Sequence, residues 1–468
     1  MFPYLCTPMI VQHSHPELTA LIDQKEWLKL KNVLKDIPAV DIAEMLEDME
    51  PHIAVVIFRL LVKPKAADVF ANLSTNKGVE LLNIFSTQQL SDVMDNLEPD
   101  EQVAIMEELP GQLIQRVLWS MKPEGQLQVR KLLGYPEESI GRLMTTKLIR
   151  IRPEWTIEKS LAHMREFAQE AETLNVIYVV DENGKLIDDL RLTQIILANP
   201  ETRIADVMDH NFEALNALDD QEEAVKMLAK YDRVALPVVD SDGLLLGIVT
   251  ADDVIDVAEE ETTEDMHLMG GMNALDDYYS QTGITEMVRK RVGWLIMLFM
   301  GQILTVTALA TYENALAAAA VLAFFIPMII SSGGNSGSQA ATLIIRAIST
   351  SDIYIREWKK VLRRELMSGL MLGSIIGMIG SIVILFWLML RGETFSAQLV
   401  LQALTVGSSL ILVVIFGNLV GSMLPFIMSK FGLDPAVTST PLVATLVDAT
   451  GIIIYFTIAS ILLSGAIL

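Results

Sequence analysis

One residue carries a clear chemical message: Asp448, the only Asp, Glu, Lys or Arg between Asp434 and Leu468. A carboxylate near the middle of an apolar span is unfavourable by several kcal/mol unless it faces water or a cation, so it marks an ion path by default. Drawn as a helix, Pro441, Ala444 and Thr445 share its face. Small and hydroxylated neighbours suit an aqueous passage, and Pro441 is expected to free backbone carbonyls as further oxygen ligands. The competing reading is a structural aspartate hydrogen-bonded to a neighbouring helix. A second feature, Ser331-Ser-Gly-Gly-Asn-Ser-Gly-Ser-Gln339, interrupts another apolar stretch. Such breaks are tolerated where backbone is buried or lines a cavity; close helix packing explains the small residues equally well.

A third feature is acidic. Asp252 to Asp265 holds eight carboxylates in 14 residues with no Lys or Arg. On a helix, Asp253, Asp256, Glu260 and Glu264 form one stripe, flanked by Glu261 and Asp265. Like charges at i,i+4 destabilise a helix, so the stripe calls for counterions. Hard divalent cations prefer carboxylate oxygens, and Mg²⁺ keeps most of its waters while touching one or two of them. The alternative is a solvated acidic linker.

The elements that position these residues divide by charge. The 468 residues are 51% hydrophobic yet carry a net charge of −24. Residues 1–286 sum to −28 and residues 287–468 to +4, an acidic soluble body joined to a membrane domain. A surface so acidic repels phosphate, which excludes a nucleic-acid binder. The single cysteine, Cys6, allows neither a disulfide framework nor a thiolate metal site. No basic segment followed by an apolar run opens the chain, so no secretory leader is expected.

Uncharged runs at Val292–Thr311, Ala315–Ile330, Leu366–Leu390, 394–429 and after Asp434 predict five membrane helices, at about 20 residues per crossing. Arg289, Lys290 and Arg291 precede the first. Arg346, Arg356, Lys359, Lys360, Arg363 and Arg364 fall between the second and third. That placement puts the N-terminal body in the cytoplasm and the C-terminus outside.

The acidic body contains two duplications. Ile42–Met49, Ala66–Leu73, Leu90–Leu97 and Ile114–Met121 stack at a period of 24, with Pro51, Pro99 and Pro123 at one offset opening second helices. Two short amphipathic helices per repeat read as a solenoid, with a plain bundle as the alternative. Further on, Ile177-Tyr-Val-Val-Asp-Glu-Asn-Gly184 matches Leu236-Pro-Val-Val-Asp-Ser-Asp-Gly243, and Ile157–Met164 matches Gln221–Leu228. Each unit reads helix, strand, Asp-x-x-Gly turn, strand, helix.

This second duplication resembles a tandem pair of CBS domains, with Gly247-Ile-Val-Thr-Ala-Asp-Asp253 as the closing motif. The resemblance implies that Thr250 and Asp253 face a nucleotide. The first copy has Arg191 and Gln194 instead, which argues against ATP binding and leaves Asp253 for another role.

The whole order resembles the MgtE family of magnesium channels. The specific residues are Pro327–Gln339, Ala341-Thr-Leu-Ile-Ile-Arg-Ala347, Asp434-Pro-Ala, and Pro441-Leu-Val-Ala-Thr-Leu-Val-Asp448. The resemblance implies a multidomain chain: an acidic α-helical superhelical repeat domain (1–135), an α/β tandem CBS pair (136–258), an acidic connecting helix and linker (259–286), and an all-α membrane domain of five transmembrane helices (287–468). It further implies a homodimer in the cell membrane whose pore holds hydrated Mg²⁺ on Asp448 from each chain. Cytosolic Mg²⁺ is expected to close the pore through Asp68, Asp100, Asp232, Asp253, Asp256, Glu261, Glu264, Asp265 and Asp434. One family carboxylate position is occupied by Ala104.

Function is therefore expected to be Mg²⁺ uptake down its electrochemical gradient. The alternatives are exchange coupled to Na⁺ or H⁺, and passage of Co²⁺ or Mn²⁺ as well. No Gly-x-x-x-x-Gly-Lys phosphate loop is present. The six scattered histidines and the spans supply no catalytic pair, so an enzyme is not expected. A membrane-tethered nucleotide sensor is disfavoured by the incomplete first copy.

Overall fold

The computed structural model describes residues 21–463 apart from 22–23, 25, 48, 108, 170, 276–278, 280–281, 314–319 and 393–394. Cys6 and the start of the second apolar run lie outside the described residues. The chain forms two units, Met1–Ala258 and Glu259–Leu468.

In the first unit, α1 (Trp27–Asp36) precedes four helix pairs. These are α2 (Ala39–Glu47) with α3 (Pro51–Leu60), α4 (Lys63–Ala71) with α5 (Thr75–Ile84), α6 (Thr87–Met94) with α7 (Pro99–Glu107), and α8 (Gly111–Ser120) with α9 (Pro123–Leu132). First helices begin at 39, 63, 87 and 111, and second helices at 51, 75, 99 and 123, so the sequence period is the structural one. Pro51, Pro99 and Pro123 open their helices, where a missing N–H goes unnoticed. At the fourth equivalent place Ser74 caps the helix instead, its Oγ accepting from Lys77 N at 3.3 Å. First helices stack on first helices, and second helices pair as α3 with α5 and α7 with α9, so neighbouring repeats cover each other's apolar faces, as in a solenoid. Phe58 and Phe85 lock two repeats edge-to-face at 5.4 Å.

The CBS pair follows. After α10 (Ile140–Leu143), the first copy runs β1 (Arg150–Ile151), α11 (Ile157–Phe167), β2 (Val176–Val180), β3 (Leu186–Arg191) and α12 (Leu192–Leu197). The second runs β4 (Leu215–Asn216), α13 (Gln221–Tyr231), β5 (Ala235–Val239) and β6 (Leu245–Thr250). Each three-stranded sheet pairs its first strand parallel and its third antiparallel to the central one. Even the register shift recurs, at Val179/Val180 and Val238/Val239. The Asp-x-x-Gly turns form as the sequence suggests. Asp181 Oδ1 accepts from Asn183 N and Lys185 N at 2.9 and 2.8 Å, and Asp240 Oδ1 repeats the pattern with Asp242 N and Leu244 N. The acidic helix α14 (Ala251–Met269) comes next.

The second unit contains α15 (Ile284–Thr311), α16 (Ala320–Ala323), α17 (Ile326–Ser349), α18 (Trp358–Leu390), α19 (Ala397–Lys430) and α20 (Thr440–Leu463). Four helical stretches among the described residues are long and apolar enough to span: Ile284–Thr311, Ile355–Leu390, Ala397–Lys430 and Thr440–Leu463. The expected second span differs. Its helix runs 326–349, straight through the Gly/Ser segment, and carries Arg346 in its last turn rather than in a loop. The small residues do not break this helix; they let it touch α19. A methyl added at Gly421 would overlap the Gly337 carbonyl, so the two backbones are in contact there.

Candidate cation sites

Asp448 lies in the third turn of α20, half-buried. Pro441 is only the second residue of that helix, so its ring breaks no interior hydrogen bond. Its carbonyl is taken by Thr445 Oγ1 at 2.9 Å. The expectation that Pro441 frees carbonyls as ligands is therefore corrected. The Gly/Ser helix α17 runs beside this region: a methyl at Gly334 would touch Ala444, and Ser338 Oγ is 3.4 Å from the Thr440 carbonyl. An open groove of about 420 Å³ on α17 is lined by Ser338, Gln339, Thr342 and Leu343. From α15, Gln302 Nε2 donates to Asp448 Oδ2 at 3.0 Å. Sequence reasoning missed Gln302, although an amide in an apolar run was the available signal. Among the described residues no cationic side chain pairs with Asp448.

The first unit gathers a carboxylate cluster from segments far apart in sequence. Asp100 is the second residue of α7 and Asp253 the third of α14. Acidic residues suit these places, where unpaired N–H groups and the helix dipole favour negative charge. Glu98, Glu101 and Glu172 complete the group, and Asp68 on α4 adds its charge toward Glu101. Burial, then the neighbouring Asp253 charge, push the Asp100 carboxyl up to about 8. Burial, then Glu98, push Glu172 up to about 7. Burial likewise raises Glu101 and Asp253 above the usual carboxylate range. One lysine, Lys147, pairs with Glu98, and Asp100 Oδ1 is buried without a hydrogen-bond partner. Among the described residues no three ligating side chains close around a metal position. What the cluster offers is paired carboxylates, the donor set of a hydrated Mg²⁺.

The other expected residues are dispersed. Asp265 accepts from Ser349 Oγ, at the end of α17, at 2.9 Å. Twelve residues of helix separate it from Asp253, roughly 18 Å along the axis. The acidic stripe is therefore not one site. Asp256, Glu260, Glu261 and Glu264 lie between these ends, Asp256 and Glu260 exposed and Glu261 and Glu264 half-buried. Asp232 is exposed at the end of α13 with φ of 49°. Asp434 is exposed too, and its Oδ1 accepts from Ala436 N at 2.7 Å. Ala104 is exposed one turn beyond Asp100. Glu98, Glu101, Glu172 and Ser349 escaped sequence reasoning: Glu98 and Glu101 flank Asp100 in the chain and gain meaning only from the cluster, and only the tertiary fold brings Glu172 to it and Ser349 to Asp265.

The CBS motif positions serve as helix caps in both copies. Gln194 Oε1 accepts from Arg191 N at 2.8 Å, and Asp253 Oδ2 accepts from the Thr250 hydroxyl.

Three family models match this architecture: the MgtE intracellular N domain over 37–138, CBS domains over 140–200 and 204–260, and the MgtE divalent cation transporter over 326–458. The magnesium transporter MgtE of Thermus thermophilus is 38% identical over 451 residues, covering 96% of this chain and 98% of that protein. The chain belongs to the MgtE family. MgtE of Bacillus subtilis is 32% identical over 71% of each chain. A crystal structure of the cytosolic domain of the Mg²⁺ channel MgtE in complex with ATP is 34% identical, with a TM-score of 0.50, covering 51% of this chain and 98% of that one. The soluble part of another magnesium transporter shares the fold at 24% identity and a TM-score of 0.50. As an MgtE protein the chain is a multi-pass membrane transporter, not an enzyme. The ATP in the solved relative counts against reading a loss of nucleotide binding from Arg191 and Gln194 alone.

Proposed function

We propose that this protein passes Mg²⁺ across the cell membrane down its electrochemical gradient, with Asp448 as the carboxylate that holds the ion in the path. The carrying observation is Asp448 itself: a half-buried acid in an apolar helix whose partner is a neutral amide. As a homodimer the protein would bring two such carboxylates to a two-fold axis. Dehydrating Mg²⁺ is unfavourable, so a path that accommodates its waters can pass it quickly. The basic residues at 289–291 and 356–364 support a cytoplasmic N-terminal body and an outward C-terminus.

Gating by cytosolic Mg²⁺ belongs to the same proposal. The cation binds the Asp100–Asp253 cluster, with Asp68 beside it. Together with Asp232, Asp256, Glu261, Glu264, Asp265 and Asp434 it favours a closed state. A ligand shifts such an equilibrium only through its differential affinity for the two states, and buried carboxylates that repel one another when uncompensated supply that difference. Carried over from the ATP-bound relative, ATP is a further proposed ligand of the CBS pair.

A second reading, exchange coupled to Na⁺ or H⁺, draws on one observation. Glu365 of α18 accepts from the buried Asn418 of α19 at 3.3 Å, a further carboxylate just before the uncharged run 366–390. Mg²⁺ flux into proteoliposomes, with and without a Na⁺ or proton gradient, separates the two. Flux indifferent to both gradients supports the channel; flux that requires either overturns it.

A further inference from the structure

α15 meets α20 closely at one place. A methyl added at Gly301 would come within 2.9 Å of Thr445 Cγ2. The next residue along, Gln302, reaches Asp448, which lies three residues beyond Thr445 on the same face of α20. The two observations depend on one another: the glycine lets the helices approach, and the approach brings a glutamine-length side chain to the carboxylate. Around Gln302 the α15 surface is apolar and exposed at Phe299, Met300, Ile303 and Leu304. The amide is therefore directed away from that surface, where it would lack a partner in lipid, and toward α20.

We propose that Gln302 is a positioning residue of the ion path: it fixes Asp448 through Oδ2 and leaves Oδ1 to face the water shell of the passing cation. This rests on the reading of Asp448 as the pore carboxylate. An amide donor orients a carboxylate without cancelling its charge, as a lysine or arginine would. A carboxylate held at one oxygen is also a poor bidentate ligand. Bidentate capture suits Ca²⁺, which takes 6–8 oxygens in flexible geometry, whereas hydrated Mg²⁺ is satisfied by single-oxygen contact. Gln302 thus favours Mg²⁺ over Ca²⁺.

The test uses the full-length protein in proteoliposomes, with Mg²⁺ and Ca²⁺ flux measured against concentration. Gln302→Met keeps side-chain length and removes the donor; Gln302→His keeps a donor. Outer partners of metal-binding groups are typically worth about 10–100-fold in affinity. Gln302→Met is therefore expected to raise the half-saturating Mg²⁺ concentration roughly tenfold and lower the Mg²⁺/Ca²⁺ flux ratio, with maximal Mg²⁺ flux retained. Gln302→His is expected to restore both. A merely structural role would lower maximal flux and leave half-saturation unmoved. Wild-type half-saturation and ion ratio in Gln302→Met, or identical behaviour of the Met and His variants, overturns the proposal. Gln302→Leu, a second non-donor, decides if Gln302→Met is not recovered folded. Asp448→Asn runs alongside: wild-type Mg²⁺ flux in that variant would remove the pore reading itself, whereas its failure to conduct with an unaffected Gln302→Met would remove only the role of Gln302.

Discussion

Ser349, the last residue of α17, donates a 2.9 Å hydrogen bond to Asp265 on the acidic helix. Leu268 and Met269, at the end of that helix, pack against the apolar core of the membrane unit. The Asp265–Ser349 bond and these two apolar side chains thus tie the end of the acidic helix to the second unit. Ser349→Ala removes the polar bond alone. At about 1 kcal/mol for such a bond, the Mg²⁺ concentration that half-closes the protein in the proposed gating is expected to rise about fivefold. Patch recordings with stepped cytosolic Mg²⁺ check this; an unchanged midpoint would show that the contact is indifferent to gating.

Proton competition follows from the Asp100 cluster. Asp100 titrates at about 8 and Glu172 at about 7 in the fold, against ordinary values of 3.8 and 4.5. The folded unit therefore holds more protons than the unfolded chain between these limits. Its stability is greatest on the acid side and is lost as pH rises through 7 and 8. Bound Mg²⁺ offsets that loss by compensating the ionised carboxylates. Without divalent cation, the Tm of the first unit's transition should fall as pH rises through this window, and Mg²⁺ should raise Tm more on the alkaline side than on the acid side. Calorimetry showing an equal Mg²⁺ effect at both would contradict a cation site there.

Asp100→Asn tests the same cluster at fixed pH. The amide keeps the shape and cannot ionise, so folding no longer has to protonate or bury a carboxyl that is charged in the unfolded chain. The expected result at neutral pH is a higher Tm in EDTA and a smaller gain on adding Mg²⁺. A lower Tm in EDTA would mean that Asp100 stabilises the fold as an anion.

Gly421→Ala tests the contact between α17 and α19. A methyl there meets the Gly337 carbonyl, and overpacking of this kind costs about 1–3 kcal/mol. Reduced thermal stability in detergent is expected. A variant as stable as the parent would show that the helices have room to separate.

Much of this was legible in the chain. Pro51, Pro99 and Pro123 marked helix starts because proline at the first helical position needs no donor, and Gly184 and Gly243 marked turns because both adopt positive φ. The Gly/Ser segment was ambiguous for a physical reason: small residues both weaken a helix and let two helices touch, and only the partner, Gly417 to Gly421, decides between them. Asp448 stood out because charge is rare in apolar runs. Gln302 did not, since an isolated amide there has no meaning until Gly301 and Thr445 bring α15 against α20. Glu98 and Glu172 were hidden likewise, because their partners lie in separate domains of the same unit.

Passage of Mg²⁺ at Asp448 is tested most directly by Mg²⁺ uptake into proteoliposomes, comparing the full-length protein with its Asp448→Asn variant. At equal amounts of folded, membrane-inserted protein, robust uptake is predicted for the former and uptake near the level of empty vesicles for the latter. Equal uptake by both would contradict a pore role for this carboxylate.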